Sequence, residues 1–488
     1  MVGRVNNKLW TAYEAAAATG GVLCAKGGDP ERWEAEEWNA GGIAIDSRAL
    51  KPGEIFVALQ DVRDGHDYVG NAFAAGASAA LVARAPQNAP EGKPFLVVRD
   101  TLEGLQDLAR AARLRNFGKR IAVTGSAGKT STKDMLRKIL AAAGEVHAAD
   151  RSFNNHFGVP LTLARMPITA RFGVFEIGMN HSNEITPLVD LVRPHAAIIT
   201  TVAPAHLEFF DSVEDIARAK AEIFSGVKPG GMIILPRDNA HFELLYFLAE
   251  QSRAALAGGK IITFGSHEDA QLRLLSTSVH EKGQKVRAQI MGERHDFILG
   301  AGGEHQAMNA LAAIGAALGV GAPLPLCLGA LSDFHAGAGR GEATEIKYAK
   351  GQITVLDESY NANPASMAAA LSLVGEKTPP DGGRRIVVLG EMLELGEQTG
   401  PLHAGLLNDI LSAKIDKVYV CGPETGSGMQ ALWEVLPERL KGANMATPDD
   451  LANKIASELH QGDIIMVKGS NASKVSLVAQ ALKVLGPS

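Results

Sequence analysis

The chain has 488 residues, of which 46% are hydrophobic and 21% charged, and its formal net charge is −6 at pH 7. This length suggests about three domains of ~150 residues each. The negative charge argues against a nucleic-acid-binding protein, because no general basic field is present. The three cysteines, Cys24, Cys327 and Cys421, stand far apart in no metal-binding spacing, which indicates a reducing compartment.

The sequence carries no targeting or membrane signal. Residues 1–10 have no apolar signal core, and no run approaches the ~18 uncharged apolar residues that a membrane helix needs. We therefore expect a cytoplasmic protein that does not insert into a membrane.

Residues 1–115 predict a small α/β unit, in which short apolar strands alternate with one or two helices. Ser47 and Arg48 follow the strand-like run 43–45 and precede a turn. Polar side chains at such a place are well positioned to contact a ligand. A hydrogen-bonded turn explains the same residues equally well.

The stretch 120–140 predicts a strand, a glycine-rich turn and a helix, with the turn reading G-x-x-G-K-T. In such a turn the N–H groups point inward, the lysine attracts the outer phosphates, the threonine can bind Mg²⁺ and the helix N-terminus favours an anion. The spacing is shorter than the general G-x-x-x-x-G-K-[ST], because Val123 stands at the earlier glycine position. An ordinary strand-to-helix turn is the alternative. The predicted nucleotide-binding residues are Gly125, Ser126, Ala127, Gly128, Lys129, Thr130 and Ser131.

Two further apolar runs within residues 116–337 carry polar residues. The strand-like run 174–180 contains Glu176, and the long apolar run 196–208, read as a single strand, ends near His206. Ligands bind beyond the carboxyl ends of parallel strands, so both side chains would approach the phosphate turn. Taken singly, Glu176 fits an ion pair or a Mg²⁺ ligand, since a buried carboxylate needs a partner. His206 by itself fits an ordinary buried histidine.

Lys220 lies on the apolar face of a predicted helix, residues 212–224, which begins with a capping box from Ser212 to Asp215. A lysine in this position usually extends to the surface, and the periodicity alone favours that interpretation. The alternative is a desolvated amine with altered chemistry, because burial favours the neutral form.

Residues 338–488 predict a doubly wound sheet, since strands and helices alternate. No G-x-G-x-x-G follows a strand, which argues against a nicotinamide cofactor. A glycine-rich stretch around Arg340 is suited to a hinge. The helix before it, residues 303–322, contains Asn309 and begins with polar groups that can contact a base or ribose. Strand ends in the last unit carry Asp357, Tyr360, Asn361, Asn363 and Lys468.

Taken together, these motifs resemble the Mur ligase family over nearly the whole chain. TGSAGKTSTKDM (124–135) resembles the family's own short phosphate loop, which accounts for the unusual spacing. FEIGMNH (175–181) and AHLEFF (205–210) follow in the family's order. The most specific matches are LDESYNANPASM (356–367) and VVLGEMLELG (387–396).

The resemblance implies an α/β protein of three domains. Residues 1–115 would bind a UDP-sugar substrate, residues 116–337 would form a P-loop ATP-binding domain, and residues 338–488 would form a Rossmann-like domain that binds ATP and an incoming dipeptide. The implied reaction joins D-alanyl-D-alanine to UDP-N-acetylmuramoyl-tripeptide through an acyl phosphate, giving ADP and phosphate, in peptidoglycan precursor synthesis. Such an enzyme serves cell-wall growth, cell shape and division, and we expect a monomer.

The resemblance also implies roles for single residues. Lys129 and Thr130 would hold the outer phosphates, and Thr130, Glu176 and His206 would bind Mg²⁺. Lys220 matches the lysine that is carbamylated in this family, and its carbamate would help to hold a second Mg²⁺. The remaining implied contacts are Asn309, Arg340 and Asp357 to ATP, Asn154 and Asn155 to the substrate channel, Tyr360, Asn361 and Asn363 to the dipeptide, and Ser47 and Arg48 to the UDP end.

One position departs from the family pattern, and two other functions compete. Asn471 stands where many members have an arginine. The contact that this arginine makes in the family is therefore not expected in this chain. A folylpolyglutamate synthetase-like ligase would share the ATP site, but the N-terminal unit argues against it. A P-loop switch without ligation would not need Glu176, His206 and an inward Lys220 around one edge.

Overall fold

The computed structural model describes residues 8–25, 38–84, 90–150, 152–422 and 427–486. Most of the segment 1–10, predicted to lack a signal core, falls outside these ranges. Within them, no helix combines the length and the apolar character needed to cross a bilayer. The described residues form three large sheets and one two-stranded ribbon.

The N-terminal unit is built on a five-stranded sheet of order β2-β7-β6-β5-β4, parallel except for β2. The predicted small α/β unit is thus confirmed. Its strands are β1 (Trp10–Thr11), β2 (Val22–Ala25), β3 (Asn39–Ala40), β4 (Gly42–Ala44), β5 (Glu54–Val57), β6 (Ala79–Val82) and β7 (Pro94–Val97), and its helices are α1 (Ala12–Thr19), α2 (Val69–Ala74) and α3 (Thr101–Arg115).

The central unit contains a nine-stranded sheet. Its parallel part has the order β9-β10-β8-β11-β12-β13-β14, so the strand before the phosphate turn, β8, lies in the middle. The strands of this part are β8 (Lys119–Thr124), β9 (Val146–Ala148), β10 (Phe172–Glu176), β11 (Ala196–Ile199), β12 (Met232–Pro236), β13 (Lys260–Gly265) and β14 (Leu272–His280). The helices are α4 (Lys129–Ala141), α5 (Gly158–Ala164), α6 (Ile185–Val192), α7 (Val213–Ala221), α8 (Phe242–Glu250), α9 (Arg253–Leu256), α10 (Glu304–Gly319) and α11 (Leu324–Ala330).

Two features of the central unit were not predicted. Strands β15 (Gly283–Ile290) and β16 (Glu293–Leu299) extend the sheet as an antiparallel hairpin beside β14. The predicted strand 196–208 begins where expected but is too long, because β11 ends at Ile199 and the chain continues as a loop into a short 3-10 helix, Leu207–Phe209. His206 therefore belongs to a loop and not to a strand.

The C-terminal unit is a six-stranded sheet of order β17-β18-β22-β19-β20-β21, parallel except for the edge strand β17. This is the predicted doubly wound architecture. The strands are β17 (Glu342–Tyr348), β18 (Gly351–Asp357), β19 (Arg385–Gly390), β20 (Lys417–Cys421), β21 (Lys441–Met445) and β22 (Ile464–Lys468), and the helices are α12 (Pro364–Glu376), α13 (Thr399–Ser412), α14 (Gly428–Val435), α15 (Pro448–Glu458) and α16 (Ser476–Lys483).

The N-terminal and central units share one apolar core. Helix α3 packs against α5 of the central unit and also against α1. The buried indole of Trp10 donates to the carbonyl of Ala164 (3.0 Å), and the Arg115 guanidinium stacks on the same ring. Apolar burial across this junction stabilises one arrangement of the two units.

Candidate active site

The phosphate turn joins β8 to α4, as predicted. Gly125 (φ 150°) and Gly128 (φ 80°) both adopt backbone conformations that L side chains rarely take. A Cβ at Gly125 would collide with the Thr200 side chain, and one at Gly128 would collide with Asn309. The Lys129 ammonium group donates to the Gly125 carbonyl (2.6 Å). The turn thus needs glycine for conformation and for close packing.

Glu176 ends β10 next to this turn and is only 3% exposed. Its carboxylate accepts hydrogen bonds from Thr130 Oγ1 (2.6 Å), Ser152 Oγ (2.5 Å) and Asn154 Nδ2 (2.8 Å). Burial raises its pKa, but the charge of Lys129 and these hydrogen bonds outweigh burial, so the pKa lies below its usual value. Glu176 is therefore an ionised, fully hydrogen-bonded carboxylate.

A cavity of about 660 Å³ lies over the phosphate turn, and both the central and the C-terminal units line it. Thirteen predicted site residues form part of its wall: Ser126, Ala127, Gly128, Lys129, Thr130, Ser131, Asn154, Glu176, Asn309, Arg340, Tyr360, Asn361 and Asn363.

The C-terminal unit touches the phosphate turn directly. Asn363 caps the N-terminus of α12, and its side-chain amide donates to the Ser126 carbonyl (3.1 Å). The Arg340 guanidinium lies 3.7 Å from the centre of the Tyr360 ring. The predicted hinge arginine and the predicted residues after β18 therefore meet at one wall of the cavity.

Three further polar residues of the wall, Gln306, Glu358 and His305, were not among the predicted site residues. The side-chain oxygens Gln306 Oε1 and Glu358 Oε1 are buried, and within the described ranges neither has a hydrogen-bond partner. Burial raises the pKa of Glu358. Burial, and to a smaller extent the charge of Lys468, lowers the pKa of His305 to about 4. Unpaired polar groups facing a cavity indicate a polar ligand.

Lys468, which the sequence placed at a strand end without a role, also lines the cavity. Its buried ammonium group donates to the carbonyls of Asn361 (2.9 Å) and Glu358 (3.3 Å). Asn471 follows it in the wall. At this part of the wall the chain therefore places the lysine Lys468, which ends β22. The position where many family members have an arginine, Asn471, comes three residues later.

His206 and Lys220 do not line the cavity, but the charge of Lys129, which does line it, affects the pKa of both residues. Burial lowers the pKa of the Lys220 amine well below its usual range, and the charge of Lys129 lowers it further. Burial also lowers the pKa of His206, and the positive charges of Lys129 and Lys220 lower it further. The charge of Glu394 acts in the opposite direction and raises it. The charge of Lys129 thus lowers the pKa of Glu176, His206 and Lys220 alike.

Lys220 is 2% exposed, so it does not extend to the surface. The surface interpretation favoured by periodicity alone is wrong. Helix α7 begins after its Ser212 cap, as predicted, and ends at Ala221, with Lys220 among its buried residues. Burial of this kind favours the neutral form of an amine over the charged form.

Several predicted site residues lie elsewhere. The Asp357 carboxylate is engaged by Ser359 and Lys483 and does not line the cavity. The exposed Arg48 pairs with Asp46, and neither it nor Ser47 lines either of the two cavities described here. The contacts of Asp357, Ser47 and Arg48 with ligands stay predictions.

A second cavity of about 910 Å³ adjoins the first at Asn154. It lies between α3 and the central unit, and Asn155 lines it as well. Arg110, Arg113 and Arg193 supply positive charge to its wall. The predicted pair of asparagines therefore lies where one cavity meets the other.

Within the described residues, no three His, Cys, Asp or Glu side chains form a ready-made metal site. The oxygen donors nearest the phosphate turn are Thr130 and the ionised Glu176, and Mg²⁺ prefers oxygen ligands with several positions left to water or phosphate. The donor set therefore fits a Mg²⁺ ion bound jointly with a nucleotide.

Three family models match the chain in succession. They are the Mur ligase family, catalytic domain, over residues 39–117, the Mur ligase middle domain over residues 123–317, and the Mur ligase, glutamate ligase domain over residues 339–471. A relative from Bacillus subtilis (strain 168), UDP-N-acetylmuramoyl-tripeptide–D-alanyl-D-alanine ligase, is 35% identical over 447 residues, covering 90% of this chain and 93% of the relative. The chain belongs to the Mur ligase family.

Other Mur ligases agree with this assignment. The enzyme of the same name from Escherichia coli (strain K12) is 34% identical and covers 90% of this chain and 93% of its own. A crystal structure of MurF from Acinetobacter baumannii matches with a TM-score of 0.82 at 28% identity, over 97% of this chain and 98% of its own. The three-domain α/β architecture is thus that of a Mur ligase, and the P-loop switch is set aside. The exact domain boundaries stay predictions.

Proposed function

We infer that this protein is the ATP-dependent ligase that adds D-alanyl-D-alanine to UDP-N-acetylmuramoyl-tripeptide in peptidoglycan synthesis. The observation that carries this function is the 35% identity, over 90% of the chain, to an enzyme of that name. The cavity supports it, because a phosphate turn and the C-terminal unit face each other across one space.

The first chemical step transfers a phosphoryl group. A carboxylate oxygen of the tripeptide attacks the γ-phosphorus of ATP, an acyl phosphate forms and ADP leaves. The turn N–H groups and Lys129 bind the phosphates and neutralise charge, while Asn309 and Arg340 hold the rest of the nucleotide. Positioning and charge neutralisation supply most of the catalysis in such transfers.

The second step makes the amide. The amino group of D-alanyl-D-alanine attacks the acyl carbon, phosphate leaves from the tetrahedral intermediate, and the nitrogen loses a proton. Tyr360, Asn361 and Asn363 would orient the dipeptide, since they line the wall contributed by the C-terminal unit. The amine can lose its proton late, so no strong general base is required.

Mg²⁺ fits the donors beside the turn. Thr130 and Glu176 would hold one ion, and His206 with a carbamylated Lys220 would help to hold a second. Mg²⁺ when bound supplies charge neutralisation between the phosphates and the substrate carboxylate. Formation of the carbamate requires a neutral amine to react with CO₂, and burial, which lowers the pKa of Lys220, favours that form.

Each unit has a proposed partner. Residues 1–115 bind the UDP end of the sugar nucleotide through Ser47 and Arg48, and its peptide passes Asn154 and Asn155 toward the phosphate turn. Residues 116–337 bind ATP, and residues 338–488 close over ATP and the dipeptide. The enzyme acts in the cytoplasm and serves cell-wall growth and division.

A phosphate-release assay tests the function. Phosphate should appear only when ATP, UDP-N-acetylmuramoyl-tripeptide and D-alanyl-D-alanine are all present, and the product should be the pentapeptide by mass spectrometry. Release of phosphate without the dipeptide, or turnover with a folate acceptor, contradicts the proposal. Chelation of Mg²⁺ should abolish release, and added Mg²⁺ should restore it.

A further inference from the structure

Two loops meet where the C-terminal unit touches the central unit. One loop follows β11 and contains His206, and the other follows β19 and contains Glu394. The backbone N–H of Glu208 donates to the carbonyl of Glu394 (3.1 Å), and Leu207 packs against the apolar core of the C-terminal unit. The contact between the units therefore includes both the backbone and an apolar side chain.

At the centre of this contact, His206 Nδ1 lies 2.5 Å from Glu394 Oε2. Both residues have left-handed backbone conformations, with φ of 60° for His206 and 62° for Glu394. Residues other than glycine adopt this conformation at a cost in free energy, which the surrounding structure must offset. Because both partners of this hydrogen bond have a strained backbone, we infer that the rest of the structure holds them in this contact.

The hydrogen bond fixes which nitrogen of the ring carries the hydrogen. An ionised carboxylate only accepts, so Nδ1 is the donor. In a neutral ring the other nitrogen, Nε2, then has a free electron pair, and no hydrogen bond to Nε2 occurs within the described part of the chain.

We propose that Glu394 is a positioning residue, which holds His206 in the tautomer that offers Nε2 as a ligand to a divalent cation. Ligating histidines commonly donate their other N–H to a carboxylate. Here the histidine and the carboxylate come from different units, so the ligand is complete only when the units are closed. The inference rests on the proposed function for His206 as a Mg²⁺ ligand.

The test measures cation binding rather than turnover. Mn²⁺, as a paramagnetic probe for the Mg²⁺ position, is titrated into the full-length protein with a non-hydrolysable ATP analogue and followed by electron paramagnetic resonance. Glu394→Gln should weaken Mn²⁺ binding about tenfold, because the charge that orients the ring is lost. Glu397→Gln, an exposed residue three positions on, is the matched control and should bind as the wild type does. Wild-type affinity in Glu394→Gln overturns the proposal.

A double-mutant cycle separates positioning from simple adhesion between the units. If Glu394 acts through His206, Glu394→Gln should cause no further loss of Mn²⁺ binding in a His206→Ala background. Losses that add independently show that Glu394 acts elsewhere and overturn the positioning role. Unchanged binding in His206→Ala removes His206 as a ligand and the proposal with it. The phosphate-release assay on the wild type reports on ligase activity separately, so the two failures are distinguishable.

Discussion

At the scale of single residues, the site contains ionisable side chains that are buried, although such side chains usually lie at the surface. Glu176 is ionised although it is buried, and Lys220 is buried although it is a lysine. Burial has the largest effect on the pKa of each, raising that of Glu176 and lowering that of Lys220, and the charge of Lys129 lowers both. Perturbed pKa values gathered around one cavity are typical of functional sites. Substitutions at these positions should therefore affect chemistry more than stability.

Lys129→Ala should reduce phosphate release about a thousandfold, because the outer phosphates lose a cation fixed beside the Gly125 carbonyl. Lys138→Ala, an exposed residue on the same helix, is the control and should keep normal activity. Steady-state kinetics with all three substrates measure the effect, and circular dichroism checks the fold. Near-normal turnover by Lys129→Ala would exclude the turn as the phosphate site.

Lys220→Ala should lose most activity and should regain part of it when acetate or formate is added, since a small carboxylate can replace the carbamate. In the wild type supplied with ¹³CO₂, a carbamate signal should appear by ¹³C NMR, and it should be missing from the variant. The reason is that burial lowers the pKa of the amine and so favours the neutral form, which is the form that reacts with CO₂. No rescue and no signal, with the fold intact, would disprove carbamylation.

At the scale of elements, strands and helix ends determine where the site groups lie. The neighbouring strands β8 and β10 end side by side at the phosphate turn, with Glu176 opposite Val123 in the register. The helix α12 points its N-terminus, capped by Asn363, at the same turn. Parallel strands and capped helix ends thus direct polar groups to a single edge of the central sheet.

Asn363→Ser should leave stability unchanged while it weakens ATP binding. Serine caps helices about as well as asparagine, but it lacks the amide that donates to the Ser126 carbonyl. Loss of one such bond, roughly 1 kcal/mol, predicts an increase of about fivefold in KM for ATP. Asn408→Ser on the exposed face of α13 serves as the control. A lowered melting temperature without a change in KM would assign Asn363 to capping alone.

The opposite edge of the sheet should make the protein sensitive to acid. Burial and the charges of Lys228, Arg120 and Lys119 lower the pKa of His195 to about 3, and its Nδ1 accepts from the Arg120 N–H (3.0 Å). The unfolded chain binds this proton below its ordinary pKa of about 6.5, whereas the folded protein does not until about pH 3. Stability should therefore fall as the pH decreases from about 6.5 toward 3.

Replacement of this histidine tests the pH effect. His195→Asn keeps an acceptor for the Arg120 N–H and removes the titrating ring. Its melting temperature should decline less than that of the wild type between pH 7 and pH 5, whereas the exposed His335→Asn should follow the wild type. Equal declines in all three proteins would show that other groups control acid unfolding.

At the scale of the whole molecule, the units differ in how they are joined. The N-terminal and central units share an apolar core. The C-terminal unit contacts the central unit mainly through hydrogen bonds such as those of His206 and Asn363, with Leu207 as an apolar contact. Apolar burial favours a fixed junction, and polar contacts permit opening and closing.

Trp10→Ala should loosen the first junction. The ring is 1% exposed, stacks on Arg115 and donates to the Ala164 carbonyl, so its loss should cost about 3–5 kcal/mol of unfolding free energy. Tyr13→Ala, at an exposed aromatic residue of α1, should cost far less. Urea denaturation followed by circular dichroism measures both. A small effect at Trp10 would mean that the two units do not depend on each other for stability.

Sequence patterns alone predicted the three α/β units and the phosphate turn, because periodicity and glycine spacing are local properties of the chain. The family was predicted from the resemblance of its motifs. Tertiary structure alone decided the burial of Lys220, the partners of Glu176 and the engagement of Asp357 by Ser359 and Lys483. It also decided the meeting of His206 with Glu394, 188 residues away. Burial and long-range contacts depend on how the strands are ordered and how the units pack, and that information is not contained in the spacing of residues along the chain.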